Sequence, residues 1–275
     1  MDKAFKLRTR DHYFDIKERL EAHLGAKDEV FRALRTASVV NSSALDDPSV
    51  DPVFLYLALD RLPERRWERI APDYGRAMCE VTALYNITGR IEELALAKHS
   101  LAVPLILQLH RTLFERTRYS DAGKFRAGDD IEPMTECPLP HHSKLPELFE
   151  HHLTWLINRL RIFGIATKDN FMEMFHIAAE AHYRIATTLP FECGNGRVAR
   201  LIGDYVLIYT GLQYALILSH DREEYLDAVR SSAIDSLTPL VNYLITAFEA
   251  TLKRLDGFVA LTESAKQEVY RNNLS

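Results

Sequence analysis

The residues most able to do chemistry stand in one run, Leu189-Pro190-Phe191-Glu192-Cys193-Gly194-Asn195-Gly196-Arg197-Val198-Ala199-Arg200. It lies between two apolar stretches of helical character, Phe171 to Thr188 and Val198 to Tyr209. A Gly-Asn-Gly turn that feeds a helix leaves several backbone N–H groups unpaired and pointing one way, and the glycines let an anion come close. Arg197 and Arg200 are three apart, so they share one face of the first turn and can both address phosphate oxygens. Asn195 adds an uncharged polar side chain. This spacing supports phosphate binding at Gly194, Asn195, Gly196, Arg197 and Arg200.

The run resembles the signature of the Fic (Fido) family, H-P-F-x-[D/E]-G-N-G-R-x-x-R. Pro190, Phe191, Gly194, Asn195, Gly196, Arg197 and Arg200 match it. The resemblance implies a loop that binds the phosphates of ATP, an acid that holds magnesium, and a histidine that deprotonates a target hydroxyl for AMP transfer. Two positions depart from it: Leu189 stands at the base position and Cys193 at the acid position. Leucine cannot accept a proton, and a general base typically contributes about 10²–10⁴-fold in rate. A thiol is a soft donor, poorly suited to magnesium. Glu192 lies one residue before the acid position and is the candidate substitute, although one step along the chain usually points a side chain elsewhere. Cys193 becomes a nucleophile only if the helix N-terminus and Arg197 depress its pKa; otherwise it is an inert, buried thiol.

With 275 residues, 47% of them hydrophobic, the chain can bury a sizeable core as one domain, or as one domain with an appended subdomain. A formal net charge of −5 argues against general binding to nucleic acid or anionic membranes. No run approaches the ~20 consecutive apolar residues of a membrane span. The opening Met1-Asp2-Lys3-Ala4-Phe5-Lys6 has no apolar core of a secretory signal. Three widely spaced cysteines, Cys79, Cys137 and Cys193, do not suggest a disulfide framework, and a cytoplasmic location is expected.

The elements that must position the run are helical. Apolar residues near a 3.6 period predict helix from Asp11 to Arg35, divided at Gly25, with the next segment ending or kinking before Pro48. Between Asp51 and Asn86, Pro52, Pro63, Pro72 and Gly75 predict short helices and turns, with Trp67 as a packing anchor. Helices are expected over Met78–Leu96, over Leu101–Glu115 with a start near Val103 because of Pro104, and over Leu145–Phe163 with Gly164 as its stop. Phe171 to Thr188 is the central helix, and His182 reads there as a buried, hydrogen-bonded residue. Pro239 to Leu252 closes the domain, and Thr262 to Ser275 reads as a frayed tail.

The resemblance extends to two further segments. Gly123, Phe125 and Arg126 match the family's G-x-[Y/F]-R stretch, which leads into a β-hairpin flap that aligns a target protein by strand addition. Ser42 to Asp47 is similar to the family's inhibitory pattern [S/T]-x-x-x-E-[G/N], with Asp46 for its glutamate, so Ser42 and Asp46 are the implied inhibitory residues and Arg200 is the implied partner of Asp46. The alternative is an acidic helix end with no regulatory contact. Cys137, His141 and His142 lie beyond the flap start. One thiol with two adjacent histidines lacks the spacing of a recognised zinc site, so no metal is expected and a polar loop tip is the reading.

The expected fold is all-α, a Fic-type helical bundle with a short β-hairpin flap. Residues 1–97 form an N-terminal helical region with the implied inhibitory helix near 38–47, residues 98–255 the core, and residues 256–275 a tail. Three functions stay open. The first is a pseudo-enzyme that binds ATP, another nucleotide or another phosphate compound, without a firm magnesium site. The second is a transferase with an altered donor or base that modifies a hydroxyl on a target protein. The third is a non-catalytic protein-interaction module. A homodimer is compatible with each.

Overall fold

From Arg197 to Ile208 every residue of one helix is buried, so this helix must be enclosed on all sides rather than laid on a surface. The computed structural model describes residues 1–21, 27–61, 72–133, 135–136 and 138–272. Its helices are α1 (Lys3–Glu21), α2 (Lys27–Asp46), α3 (Pro52–Arg61), α4 (Pro72–Leu96) and α5 (Val103–Phe114). They continue with α6 (Leu145–Phe163), α7 (Phe171–Thr188), α8 (Asn195–Tyr209), α9 (Arg222–Arg230) and α10 (Thr238–Asn272). The enclosed helix is α8, with α7, α4 and α2 against it. Gly203 makes the α7 contact close: a Cβ there would sit 3.8 Å from the His182 Cβ and 3.9 Å from the Ala178 carbonyl oxygen.

α10 packs on α1, α7 and α9. Tyr13, Phe171, Phe175 and Phe248 form an aromatic junction among α1, α7 and α10, with ring centroids 5.2–5.7 Å apart in the pairs Tyr13–Phe171, Tyr13–Phe248 and Phe175–Phe248. His182 is buried, and its Nε2 lies 2.9 Å from the Tyr225 hydroxyl. Burial first, and then Arg200, lower its pKa to about 3. It is a neutral structural imidazole.

All-α architecture is as expected, and α5, α6 and α7 lie where periodicity and the Pro104 and Gly164 signals put them. Three details differ. α4 is one helix of 25 residues that starts at Pro72 and runs through Gly75; proline suits a first turn, and buried Met78, Val81 and Leu84 outweigh the glycine's cost of about 1 kcal/mol. α10 continues to Asn272, where the sequence suggests a frayed tail. Among the described residues the only β feature is an isolated Ala233–Ser236 bridge, and no hairpin follows Arg126. Pro133 and Pro140 in that loop lack donors for a ladder. The buried Arg126 side chain organises it instead, donating from Nη1 to the Gly128 carbonyl at 2.7 Å and from Nη2 to the Pro140 carbonyl at 2.5 Å. Gly25, Pro63, Trp67 and Cys137 lie outside the described residues. No described helix is long and apolar enough to cross a membrane.

Candidate functional site

α7 ends at Leu189, which takes a left-handed conformation with φ 43° and ψ 62°. That backbone costs a non-glycine residue roughly 1–2 kcal/mol. It is held by a buried leucine side chain and by Arg126 Nε, which donates to the Leu189 carbonyl at 2.8 Å. The Arg126 N–H donates to the Pro190 carbonyl at 2.9 Å. Phe191 is fully buried, stacked on His110 at 4.0 Å and on Phe125 at 6.0 Å.

Asn195 uses its side chain to close the turn. Its Oδ1 accepts from the Phe191 N–H at 2.9 Å and its Nδ2 donates to the Phe191 carbonyl at 2.8 Å. The side chain therefore builds the loop and leaves ligand contact to the backbone. Gly194 has φ +73°, and a Cβ there would meet the Phe114 ring at 2.5 Å, so no other residue fits. The first-turn N–H groups of Asn195, Gly196 and Arg197 have no partner within α8, which is the usual state of a helix N-terminus.

An open cavity of about 320 Å³ lies over that turn. Arg118, Arg197, Arg200 and Arg222 all line it, together with Gly194, Gly196 and Tyr225. Arg197 and Arg200 are already engaged by α2. Asp46 Oδ1 accepts from Arg200 Nη2 at 2.6 Å, and its Oδ2 accepts from Arg197 Nε at 2.8 Å. Ser42 adds its hydroxyl to Arg200 Nε at 2.8 Å and its carbonyl to Arg200 Nη2 at 2.9 Å. On the other side Arg197 Nη1 donates to Glu80 Oε2 of α4 at 2.7 Å, and its guanidinium sits over the Phe114 ring at 5.0 Å.

The Asp46 backbone is exposed at the end of α2, while its side chain is 20% exposed. Burial pushes its carboxyl up, but Arg200 and Arg197 outweigh that and hold it below the usual carboxylate range. The family resemblance implied Asp46 facing Arg200, with an unengaged acidic helix end as the alternative; the structure places Asp46 on Arg200 and adds Ser42. The second contact, to Arg197, lay outside the sequence reading. So did Glu80 and Arg118, which carry no motif: each is one charge among many on an amphipathic helix or a charged turn.

The degenerate positions have clear surroundings. The Cys193 thiol is half-buried and pushed up to about 11, by burial first and against Arg118 and Arg197, so it stays protonated at neutral pH. A protonated thiol is a poor nucleophile, which argues against the nucleophile reading. Glu192 is exposed and does not line the cavity; its Oε1 accepts from the Ala127 N–H at 3.1 Å, tying it to the loop after Arg126. It does not serve as a substitute in this arrangement. Among the described residues that line the cavity, the one carboxylate is Asp46, and both its oxygens hold arginines. With a protonated thiol as the other candidate donor, these residues do not fit a magnesium ion.

Gly123 has φ +74°, and its N–H donates to His110 Nδ1 at 2.9 Å, while His110 Nε2 faces the Cys193 carbonyl at 3.1 Å. A Gly123 Cβ would clash with Arg111 at 2.7 Å. His110 thus links the segment before Arg126 to the signature loop. Gly123, Phe125 and Arg126 brace that loop from one side.

Residues 100–207 match the family model described as Fic/DOC family. Among curated proteins, "Protein adenylyltransferase fic-1" of Caenorhabditis briggsae is 26% identical over 159 residues, 58% of this chain and 29% of that protein. "Protein adenylyltransferase Fic" of Nematostella vectensis is 23% identical over 163 residues, 59% of this chain and 35% of that protein. The match thus spans about a third of the length of these relatives. A Fic domain containing signaling protein from Bacteroides thetaiotaomicron superposes with a TM-score of 0.70 at 20% identity, covering 91% of this chain and 96% of the other. Fic-1 from C. elegans gives a TM-score of 0.67 at 20% identity, over 92% of this chain and 73% of the other. At these identities the structural likeness shows the fold.

Proposed function

Because residues 100–207 match the Fic/DOC family model, we propose that the chain binds a nucleotide, ATP in the first instance, as a regulated binding module in which AMP transfer is lost or strongly reduced. The observation that carries this reading is the convergence of Arg118, Arg197, Arg200 and Arg222 on one cavity at the α8 N-terminus. Four guanidinium groups beside unpaired N–H groups suit a polyphosphate, and one carboxylate, Asp46, opposes them.

Loss of chemistry follows from the same residues. Leu189 has no proton to exchange, Cys193 holds its proton at neutral pH, and Glu192 is turned to Ala127. The Asp46 contacts supply the regulation. With Asp46 seated, Arg197 and Arg200 are paired; a phosphate must displace it or share the arginines with it. α2 is therefore the inhibitory element of this reading, and Ser42 is its second anchor. Equilibrium dialysis of the full chain against labelled ATP without magnesium tests the reading: saturable uptake at one site, displaced by unlabelled ATP, supports it. Uptake no greater than for adenosine removes the phosphate site.

A further inference from the structure

The loop that leaves Arg126 and returns to α6 brings together three residues that the sequence keeps apart. Asp129, His141 and His142 each present one ligand atom, and these atoms all lie within 4.8 Å of one another. Asp129 Oδ2 is 3.5 Å from His141 Nε2 and 3.4 Å from His142 Nδ1. In a tetrahedral zinc site with bonds of about 2.0–2.1 Å, neighbouring ligand atoms are separated by about 3.3–3.4 Å. Two edges of the triangle therefore already have the length of a tetrahedral face.

The outer contacts orient the same three atoms. Asp129 spends its other oxygen, Oδ1, on Arg126 Nη1 and on the His142 N–H, the latter at 2.9 Å, which leaves Oδ2 directed at the two imidazoles. The Ser143 hydroxyl lies 2.9 Å from His141 Nδ1, where it can accept that nitrogen's proton and so free the Nε2 lone pair. Hydrogen-bonded partners of this kind fix the tautomer and ring of a ligating histidine. The Ser143 N–H, 3.3 Å from the same nitrogen, is the weak contact that ion binding would replace. The side chains are 59% exposed at His141 and 37% at His142, so a small ring rotation can close the third edge.

We propose that Asp129, His141 and His142 form a site for a divalent transition metal of the zinc class, with a fourth position open to water. Two imidazole nitrogens and one carboxylate oxygen suit zinc, cobalt or nickel and do not suit magnesium or calcium, which take oxygen donors. Sequence spacing pointed away from a metal because it grouped the histidines with Cys137; the fold brings Asp129 to them. The ion clasps the two ends of the loop over residues 127–141. Arg126 already bonds Gly128, Asp129, Pro140 and Leu189, and Ala127 bonds Glu192, so the clasp stiffens the loop that braces the signature turn.

The test uses the full chain, stripped of metal and free of nucleotide, so its result is independent of the phosphate site. Cobalt(II) titration followed by visible absorption, with zinc as competitor and elemental analysis for stoichiometry, should give one equivalent bound. His141→Ala and His142→Ala should each weaken binding more than about tenfold. Asp129→Asn should do the same, and the histidine variants keep the test decisive should loss of the Arg126 contact disturb the loop. His151→Ala and Cys137→Ser should leave affinity unchanged. Zinc should slow proteolytic cleavage within residues 127–141 in the unaltered chain and not in the two histidine variants. Absence of stoichiometric binding would overturn the proposal and leave a cluster of hydrogen bonds. So would equal loss in His151→Ala, or loss in Cys137→Ser with Asp129→Asn unaffected.

Discussion

Asp46 at the end of α2 grips Arg200 on α8 at 2.6 Å, across 154 residues of chain, and holds Arg197 with its second oxygen at 2.8 Å. One carboxylate thus occupies both arginines of the first turns of α8. The Arg200 and Arg197 side chains are only 7% and 10% exposed, so the contact forms part of the packed structure.

Removal of that carboxylate should cost stability. Breaking a buried pair typically costs 3–5 kcal/mol, and Asp46 is partly exposed, so Asp46→Ala should lose about 2–3 kcal/mol without ligand. Denaturant unfolding would read the loss. A change below about 0.5 kcal/mol would show that the pairing adds nothing to the fold.

Arg118 lines the same cavity and, among the described residues, its guanidinium has no carboxylate partner. Arg118→Ala should therefore weaken ATP binding several-fold while leaving the unfolding midpoint within the error of a surface substitution, about 0.5 kcal/mol. Unchanged affinity would place the ligand elsewhere in the cavity.

The two departures in the signature should act together. Leu189→His alone should give no measurable AMP transfer from labelled ATP, because Cys193 still cannot hold a metal ion. Leu189→His with Cys193→Asp should give transfer, and adding Asp46→Ala should raise it further. Activity of the single variant would show that the base was the sole defect.

Asp204 of α8 is buried, accepts a 3.1 Å hydrogen bond from the Ser38 hydroxyl, and is pushed up to about 8, by burial first, against Ser38 and Arg200 and with Glu92 adding to the rise. An unfolded aspartate titrates near 3.9. Between about pH 4 and pH 8 the native state therefore holds a proton that the unfolded chain has lost, so stability falls as pH rises through this window. Asp204→Asn should flatten that slope, gaining on the unaltered protein at pH 8.5 and little at pH 5. Parallel stability profiles for the two proteins would contradict the assignment.

Two glycines should respond in opposite directions. Gly194→Ala combines left-handed strain with a 2.5 Å clash against Phe114 and should cost about 2–4 kcal/mol. Gly75→Ala, in α4 with nothing within 4 Å of the added Cβ, should gain about 0.5–1 kcal/mol. Chemical denaturation of both variants checks the contrast.

What could be read from the sequence was local. The α7 span came from its apolar period, the α5 start from Pro104, and the glycine turn into α8 from Gly194 to Gly196. Contacts between distant elements were hidden. Glu80 meets Arg197 across 117 residues, and nothing in its neighbourhood marks it from other helix acids. Asp129 faces His141 and His142 where Arg126 bonds both arms of the loop, at Asp129 and at the Pro140 carbonyl. The Ser42–Asp46 contact with Arg200 was accessible because a family pattern, rather than spacing, connected the two. The hairpin was carried by a different pattern of the same family, the one matched by Gly123, Phe125 and Arg126, and here proline and Arg126 organise the loop differently.

Calorimetric titration with ATP, without magnesium, of the full chain and of Asp46→Ala tests the central claim most directly. The account predicts saturable one-site binding in both, at least about tenfold tighter in Asp46→Ala, a difference of about 1.4 kcal/mol. Equal affinity would separate Asp46 from the phosphate site, and no saturable heat in either protein would contradict nucleotide binding at this cavity.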